Sequence, residues 1–255
     1  MTFISFLNNT KVRKTLSVLL ALAVWQIAAA AVGSDMLLAS PVRVLARLAS
    51  LFREPGFFSS VLFSFLRITA GFLLAFFMGI VLGFAAGKSG AIETILWPWV
   101  VTGKTVPIAS FIILCLIWMD HSGLTVLISF LIAFPVIYTN VLQGLKSTDE
   151  KKKELAALYR VPWTRRLLYI DLPAIKPYLL SASSVAVGMA WKAGVAAEVI
   201  GMVDGSIGDM LYQAKVYFQN ADLLAWTVVI ILVSVLSEKL FALLLKLFFR
   251  GVEKL

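Results

Sequence analysis

The chain has 255 residues, of which 60% are hydrophobic and 15% charged, and its mean hydropathy is +0.93. A soluble domain of this size is nearer half apolar, so the composition excludes an ordinary soluble protein and predicts a chain that lies in lipid. The net charge of +9 would favour nucleic-acid binding in a soluble protein. In a membrane protein we attribute it to Lys and Arg held on the cytoplasmic side.

Long apolar runs without strand-like alternation predict an all-α polytopic membrane protein with about six transmembrane helices. The predicted spans are residues 15–32, 57–86, 91–119, 124–145, 174–197 and 223–249. The first run is too long for the core of a signal peptide and no clear cleavage site ends it, so we expect an uncleaved helix. Pro98 and Pro107 predict a kink or break in the third span near residues 103–107.

Two short helices are predicted between the spans. Ser40 can cap a helix that begins at Pro41, and the apolar residues that follow at helical spacing suit the membrane interface. The second short helix is predicted over residues 207–217.

The distribution of Lys and Arg predicts that both termini are cytoplasmic. With the N-terminus inside, sixteen of these residues lie on the cytoplasmic side and four in the outer loops. Eight of the sixteen lie in residues 146–176, which predicts a cytoplasmic loop there.

The chain carries no recognisable catalytic set. Cys115 and His121 are the one cysteine and the one histidine, so we expect no intrachain disulfide, metal site or proton relay. A phosphate-binding loop ending at Gly87-Lys88-Ser89 would need glycine where Leu82 stands. We therefore expect neither an enzyme nor a cofactor bound by this chain.

The polar loop contains a short segment, residues 154–160, with a helical pattern of its own. Leu155, Leu158 and Tyr159 fall on one face of a helix, and Pro162 ends it. On physical grounds such a helix either docks into a groove of a partner or lies on the inner leaflet, held there by the basic residues 151–153.

The spacing of this loop resembles the cytoplasmic coupling loop of ABC-importer permeases, which reads Glu-Ala-Ala, three residues, Gly, nine residues, Ile-x-Leu-Pro. The matching residues are Glu154, Ala156, Ile170, Leu172 and Pro173. Leu155 replaces the first Ala and Arg160 replaces the Gly. Because Arg tolerates a left-handed backbone poorly, we predict that Arg160 is helical and that Val161-Pro162 makes the turn.

Other segments resemble the nitrate/sulfonate/taurine-type group of these permeases. They are Ser64-Phe65-Leu66-Arg67-Ile68-Thr69-Ala70-Gly71, Lys104-Thr105-Val106-Pro107-Ile108-Ala109, Ala190-Trp191-Lys192, and Ala197-Glu198-Val199-Ile200-Gly201 followed by Ile207-Gly208. Their order and separations extend the resemblance over roughly residues 60 to 245.

The resemblance implies a type I ABC importer permease fold, with residues 1–255 as one transmembrane permease domain and a cytoplasmic coupling loop at about 146–173. It implies a multi-pass protein of the bacterial inner membrane that provides alternating access for a small solute. The implied partners are separate ATPase subunits that bind ATP and Mg, a second permease copy or paralogue, and an extracytoplasmic binding protein. The implied solute is a sulfonate-, nitrate- or taurine-like anion or a pyrimidine precursor.

Two groups of candidate site residues follow. The ATPase-coupling residues implied by the resemblance are Glu154, Ala156, Ala157, Tyr159, Arg160, Val161, Leu172 and Pro173. The pathway candidates are the charged residues within or near spans, namely Arg67, Lys104, Lys192 and Glu198. Charge inside a membrane is costly and indicates function, although a charged side chain near a helix end also reaches the interface. We expect Glu198 either to face the translocation pathway or to bond to a neighbouring helix, with Lys104 and Arg67 as the first partners to test.

Glycines and one alanine recur at every fourth position of the second span, at Gly71, Ala75, Gly79, Gly83 and Gly87. Such a smooth ridge allows another helix to approach closely, either inside this chain or in a second subunit. Internal packing is the prediction.

Two other functions compete with the importer permease. An ion-driven secondary transporter would show repeated halves and several membrane-embedded acids, and only Glu198 is a firm candidate of that kind. An ATPase-docking scaffold subunit of a vitamin-uptake complex would carry two docking helices with an Ala-Arg-Gly-type signature, and the sequence has one docking loop without it.

Overall fold

The computed structural model describes residues 10–252, and this part of the chain is helical with no strand. The α-helices are α1 (Thr10–Val32), α2 (Pro41–Leu51), α3 (Phe57–Lys88), α4 (Gly90–Thr105), α5 (Ile108–Trp118), α6 (His121–Lys146), α7 (Glu150–Leu158), α8 (Trp163–Arg166), α9 (Leu172–Gly201), α10 (Ile207–Val216) and α11 (Asn220–Val252). A π-helix, Leu167–Asp171, joins α8 to α9.

Five of the six predicted spans correspond to single long helices, and the sixth corresponds to a bent pair of helices. Among the described residues, α1, α3, α6, α9 and α11 are each long and apolar enough to cross a bilayer. The sixth is the pair α4 and α5, which passes the same test only when taken together. The all-α membrane fold is confirmed, whereas the cytoplasmic location of both termini stays a prediction.

The break in the third predicted span is confirmed at its predicted position. Helix α4 ends at Thr105, α5 begins at Ile108, and the two axes are bent by 108°. Val106 and Pro107 between them are extended, because a residue before proline avoids the helical region and proline cannot donate a helical hydrogen bond. Pro98 is accommodated inside α4.

The described chain divides into two compact units. The first comprises residues up to 58 together with 210–229, and the second comprises 59–209 together with residues from 230 onward. The single permease domain predicted over residues 1–255 stays a prediction, since residues 1–9 and 253–255 lie outside the described part.

In the first unit, the interfacial helix α2 begins as the sequence predicts. The Ser40 hydroxyl accepts the backbone N–H of Arg43, and Pro41 occupies the first turn. Arg47 makes a two-pronged ion pair with Asp222, with Nη2 2.7 Å from Oδ2. Hydrogen bonding to Asp222 raises the pKa of the Arg47 guanidinium above its ordinary value.

In the second unit, the glycine ridge of α3 lies against α6. A Cβ at Gly71 would come within 2.4 Å of the Val126 carbonyl oxygen, and one at Gly83 within 2.8 Å of the Val141 side chain. Ala75 on the same ridge is fully buried. This packing inside one chain agrees with the predicted use of the ridge, because a larger residue would push the helices apart.

Candidate coupling and pathway sites

The segment that resembles a coupling loop is built as a short capped helix. Asp149 is the N-cap of α7, and its side chain accepts the backbone N–H of Lys151 at 3.0 Å. Glu150 in the first turn places a second negative charge at the positive end of the helix dipole. The cap and the acidic first turn therefore fix where α7 begins.

One side of α7 faces the protein and the other faces outward. Ala156 is buried, with 6% of its surface exposed, whereas Leu155, Leu158 and Tyr159 are 59%, 77% and 73% exposed. The apolar stripe predicted from the sequence therefore lies on the outward side of α7. A stripe of this kind carries apolar surface that only a partner or lipid can cover.

The prediction for Arg160 is wrong. Arg160 has φ of +46°, which is left-handed, and Val161 and Pro162 follow it without making the turn themselves. The N–H of Arg160 donates to the Ala157 carbonyl at 3.1 Å, and the N–H of Val161 donates to the Ala156 carbonyl at 2.9 Å. These two bonds form a Schellman motif, which satisfies carbonyls at the helix end and needs one left-handed residue, ordinarily glycine.

Beyond this turn the chain returns to the bundle through the Ile-x-Leu-Pro segment. The backbone N–H of Leu172 donates to the Leu167 carbonyl, five residues back, which defines the π-helix. Pro173 follows at the start of α9, where its missing N–H is tolerated. Leu172 is half-buried and Pro173 exposed, so this end of the predicted coupling set lies partly at the surface.

Most of the predicted coupling set is open to the surroundings. The exposed members are Glu154, Ala157, Tyr159, Arg160 and Pro173, the half-buried ones Val161 and Leu172, and the buried one Ala156. The six members from Glu154 to Val161 lie together in the last turn of α7 and the turn that follows it.

Glu198 has no exposed surface and lies where α3, α9 and α10 meet. The Ser64 hydroxyl donates to Glu198 Oε2 at 2.8 Å, and the backbone N–H of Gly208 donates to the same oxygen at 3.2 Å. The N–H of Ile207 in turn donates to Ser64 Oγ at 2.9 Å. The first two N–H groups of α10, which have no partner within the helix, are thereby satisfied by the buried side chains of Ser64 and Glu198.

A second buried hydroxyl lies beside this carboxyl. Thr125 on α6 is fully buried and interacts electrostatically with the Glu198 side chain. Within residues 10–252, however, neither Thr125 Oγ1 nor Glu198 Oε1 has a hydrogen-bond partner. A rotation of the Thr125 hydroxyl toward Oε1 would satisfy both groups.

Glu198 bonds to a neighbouring helix as one of the two alternatives expects, but its hydrogen-bond partners are a hydroxyl and a backbone N–H and not Lys104 or Arg67. Lys104 is exposed near the end of α4. The Arg67 guanidinium lies over the Phe63 ring, 3.7 Å from the centroid, and interacts with Glu198 only through space. Arg67 Nη1 is buried and finds no hydrogen-bond partner in the described part of the chain.

Arg67 lines a small cavity of mixed polar and apolar surface. The cavity has a volume of about 260 Å³ and is lined by Phe63, Arg67, His121, Met202, Val203 and Asp204. It lies beside the start of α6 and the loop after α9, which the predicted topology places on the outer side. One cationic side chain, Arg67, and one carboxylate, Asp204, thus line the same cavity.

Lys192 lies on the one open stripe of α9. The other faces of this helix are buried or half-buried, but Pro177, Ser181, Val185, Met189 and Lys192 are exposed and recur every three or four residues. Side chains at that spacing lie on one face of a helix. Of the four pathway candidates, Lys104 and Lys192 are exposed, Arg67 is half-buried and Glu198 is buried.

Sequence reasoning missed the roles of Ser64 and Gly208. Both belong to segments that carry the family resemblance, but hydrogen bonding to Glu198 was not predicted for either. One available signal was the glycine: a Cβ at Gly208 would lie 2.2 Å from the Glu198 Cβ, so only glycine allows this approach.

The comparison with known families decides what these sites belong to. A family model described as binding-protein-dependent transport system inner membrane component matches residues 71–254. The chain belongs to this family. It is the membrane permease of an ABC importer in the bacterial cytoplasmic membrane, and the family's subunits are not enzymes themselves.

Relatives of stated function are similar along most of their length. The putative aliphatic sulfonates transport permease of Bacillus subtilis is 28% identical over 225 residues, which is 88% of this chain and 81% of that protein. The nitrate import permease of Synechococcus elongatus is 29% identical, with 76% of this chain and 72% of that protein covered. The formylaminopyrimidine transport permease of Halalkalibacterium halodurans is 29% identical, with 75% and 76% covered.

A solved structure supports the fold. A crystal structure of an amino acid ABC transporter with histidines aligns with a TM-score of 0.56 and 16% identity, covering 81% of this chain and 96% of that chain. The likeness confirms the permease fold that the sequence predicts. Together with the family match, it favours the importer permease over a secondary transporter or a vitamin-uptake scaffold.

Proposed function

We propose that this permease forms the alternating-access pathway with a second permease copy or paralogue, and that separate subunits bind ATP and Mg and hydrolyse the nucleotide. Solute reaches it on an extracytoplasmic binding protein. Membership of a binding-protein-dependent family supports all three partners. In this assembly the N-terminus, the C-terminus and residues 146–173 are cytoplasmic, as the distribution of Lys and Arg indicates.

Helix α7 is the part that docks into the ATPase. One observation carries this assignment: Ala156 anchors the helix to the protein while Leu155, Leu158 and Tyr159 face outward. The capped start at Asp149 and the Schellman turn at Arg160 fix both ends, so the exposed stripe is presented on a rigid element. A rigid apolar helix face is the form of ligand that a hydrophobic groove binds.

Co-purification of the ATPase with this permease tests the docking. Leu158→Gln removes apolar contact area from the stripe, and we expect retention of the ATPase to fall about tenfold, since interface leucines contribute on the order of 1–2 kcal/mol. Leu45→Gln is the matched control, because Leu45 is also an exposed leucine of a short helix, 60% exposed on α2, but lies outside the proposed docking face. Equal ATPase retention in both variants would contradict docking through α7.

The solute that the site favours is a small anion such as a sulfonate. Arg67 supports this choice, because it lines the cavity beside Asp204 with its buried Nη1 lacking a hydrogen-bond partner in the described chain, and a guanidinium binds oxyanions well. The named relatives transport aliphatic sulfonates and nitrate, which are anions. A neutral heterocycle is the second candidate, because another relative is a formylaminopyrimidine permease.

Uptake by vesicles that contain the complete transporter separates the two solutes. We expect sulfonate uptake to exceed pyrimidine uptake, and Arg67→Gln to abolish it while the folded yield is kept. Arg53→Gln is the control, because Arg53 is an exposed cation of the predicted outer surface. Uptake of the pyrimidine alone, unaffected by Arg67→Gln, would reject the anion.

A further inference from the structure

A second polar cavity lies at the opposite end of the bundle, beside the helix proposed to dock the ATPase. Its volume is about 130 Å³, and it is lined by Phe84, Gly87, Lys88, Leu145, Lys153, Arg166 and Asp171. These residues come from the ends of α3 and α6, from α7 and from the segment before α9. The cavity therefore lies where the membrane bundle meets the polar loop.

The cavity carries an excess of positive charge. Three cations, Lys88, Lys153 and Arg166, line it together with one carboxylate, Asp171. The closest ion pair among them joins Arg166 Nε to Asp171 Oδ2 at 4.0 Å, which is too long for a hydrogen bond. Two positive charges are left without a counter-ion in the cavity.

Two of the three cations have defined surroundings. Arg166 Nε is buried and has no hydrogen-bond partner among residues 10–252, so one strong donor is unsatisfied. The Lys88 ammonium lies over the ring of Trp163, 4.7 Å from its centroid. An unsatisfied buried donor with a surplus of positive charge indicates a site for an anion with several oxygens, and a phosphate group has that chemistry.

The apolar part of the cavity indicates where the phosphate comes from. Phe84 and Leu145 supply carbon surface next to the cations, which suits a phosphodiester attached to a glycerol backbone. Trp163 is 58% exposed at the same level, and tryptophan is typical of the membrane–water interface. Basic pockets between helices on the cytoplasmic side bind the headgroups of anionic lipids.

We propose that this cavity binds the phosphate of an anionic phospholipid of the inner leaflet, between Lys88, Lys153 and Arg166. The bound lipid bridges the end of α3 to α7 and thereby stabilises the position of α7. The inference rests on the proposed cytoplasmic location of α7.

The test uses the full-length permease in nanodiscs of phosphatidylcholine with or without phosphatidylglycerol. We expect phosphatidylglycerol to raise the melting temperature and to remain bound in native mass spectra. Lys88→Gln with Arg166→Gln should weaken this binding by an order of magnitude or more, since each basic residue near the surface contributes about fivefold. Lys246→Gln, an exposed cation of α11, is the control and should change little.

A variant of opposite sign covers the case in which the double variant fails to fold. Asp171→Asn removes the one negative charge, so it should strengthen retention of phosphatidylglycerol. Unchanged or weaker retention in this variant would overturn the proposal, and so would equal melting temperatures in the two lipid mixtures. Stabilisation by inorganic phosphate but not by phosphatidylglycerol would assign the cavity to a soluble phosphate and reject the lipid.

ATPase co-purification, measured on the same proteins, keeps the two proposals apart. If wild-type permease binds phosphatidylglycerol but no ATPase, the docking proposal fails and the lipid site stands. If the ATPase binds and phosphatidylglycerol does not, the lipid site fails and docking stands.

Discussion

The backbone N–H of Val161 donates to the carbonyl of Ala156 at 2.9 Å, and this bond closes the C-terminal end of α7. It requires a left-handed residue between the two, and here that residue is arginine with φ of +46°. Because a side chain is disfavoured in that conformation, the helix end carries strain that a glycine would not.

Arg160→Gly should therefore stabilise the permease. Relief of the left-handed strain is expected to raise the free energy of unfolding by about 1 kcal/mol, less any loss from a more flexible unfolded chain. Thermal unfolding in detergent measures the change. Lys152→Gly in the first turn of the same helix is the control and should lower stability, because glycine disfavours the helix. A lower melting temperature for Arg160→Gly would show that the arginine side chain contributes more than the strain costs.

Ala156 and Ala157 are neighbours with different surroundings, so the same substitution should have different effects. Ala156→Asp places a carboxylate at a buried position and should destabilise the fold by roughly 3 kcal/mol or more. Ala157→Asp lies on the exposed side and should leave the folded yield unchanged while weakening ATPase retention. Size-exclusion profiles give the yield and co-purification gives the retention. The docking face is misassigned if Ala157→Asp retains the ATPase as well as the wild type does.

Removing the Glu198 carboxyl should destabilise the junction of α3, α9 and α10. Glu198→Ala leaves the Ser64 hydroxyl and the Gly208 N–H unpaired in a buried place, which costs about 1–3 kcal/mol. Glu198→Gln keeps an acceptor oxygen and should cost less. Thermal unfolding ranks the three proteins, and solute-stimulated ATPase activity of the assembled transporter shows any separate role in the pathway. Wild-type stability together with wild-type activity in Glu198→Ala would contradict both roles.

Two glycines of α9 offer a matched pair for the packing of this helix. A Cβ at Gly194 would come within 2.6 Å of Ile68 and of Ser129 Oγ, whereas one at Gly188 would meet nothing within 4 Å. Gly194→Ala should therefore lower the free energy of unfolding by about 1–3 kcal/mol through overpacking. Gly188→Ala should raise it by about 0.5–1 kcal/mol, because alanine favours the helix. Effects of the same sign at the two positions would argue against close helix approach at Gly194.

Features fixed by local chemistry could be predicted from the sequence. Ser40 followed by Pro41 marks a helix start, and the structure has it there. Pro107 predicts the break that separates α4 from α5, because proline acts on its immediate neighbours. The exposed stripe of α7 likewise depends only on helical spacing within nine residues.

Features that depend on distant residues could not be predicted in the same way. Ser64 is 134 positions from Glu198, so nothing in the local pattern of either residue indicates their hydrogen bond. The expectation that arginine avoids a left-handed backbone also failed at Arg160. There, hydrogen bonds from two successive N–H groups outweigh the backbone preference of the side chain. Local sequence preferences therefore predict the helices, whereas contacts between distant residues and helix-end hydrogen bonds need the folded structure.

The helix pair α4 and α5, bent by 108°, determines whether the chain crosses the membrane an even or an odd number of times before residue 146. If the bent pair passes through the bilayer, the number of crossings is even and residues 146–176 share a side with the N-terminus. If the pair instead enters and leaves on one side, the number is odd and the eight basic residues of that loop face outward. The positive-inside rule requires the first arrangement, so a cysteine introduced at Ser89 and one at Asp120 should be labelled by membrane-impermeant reagents from opposite sides.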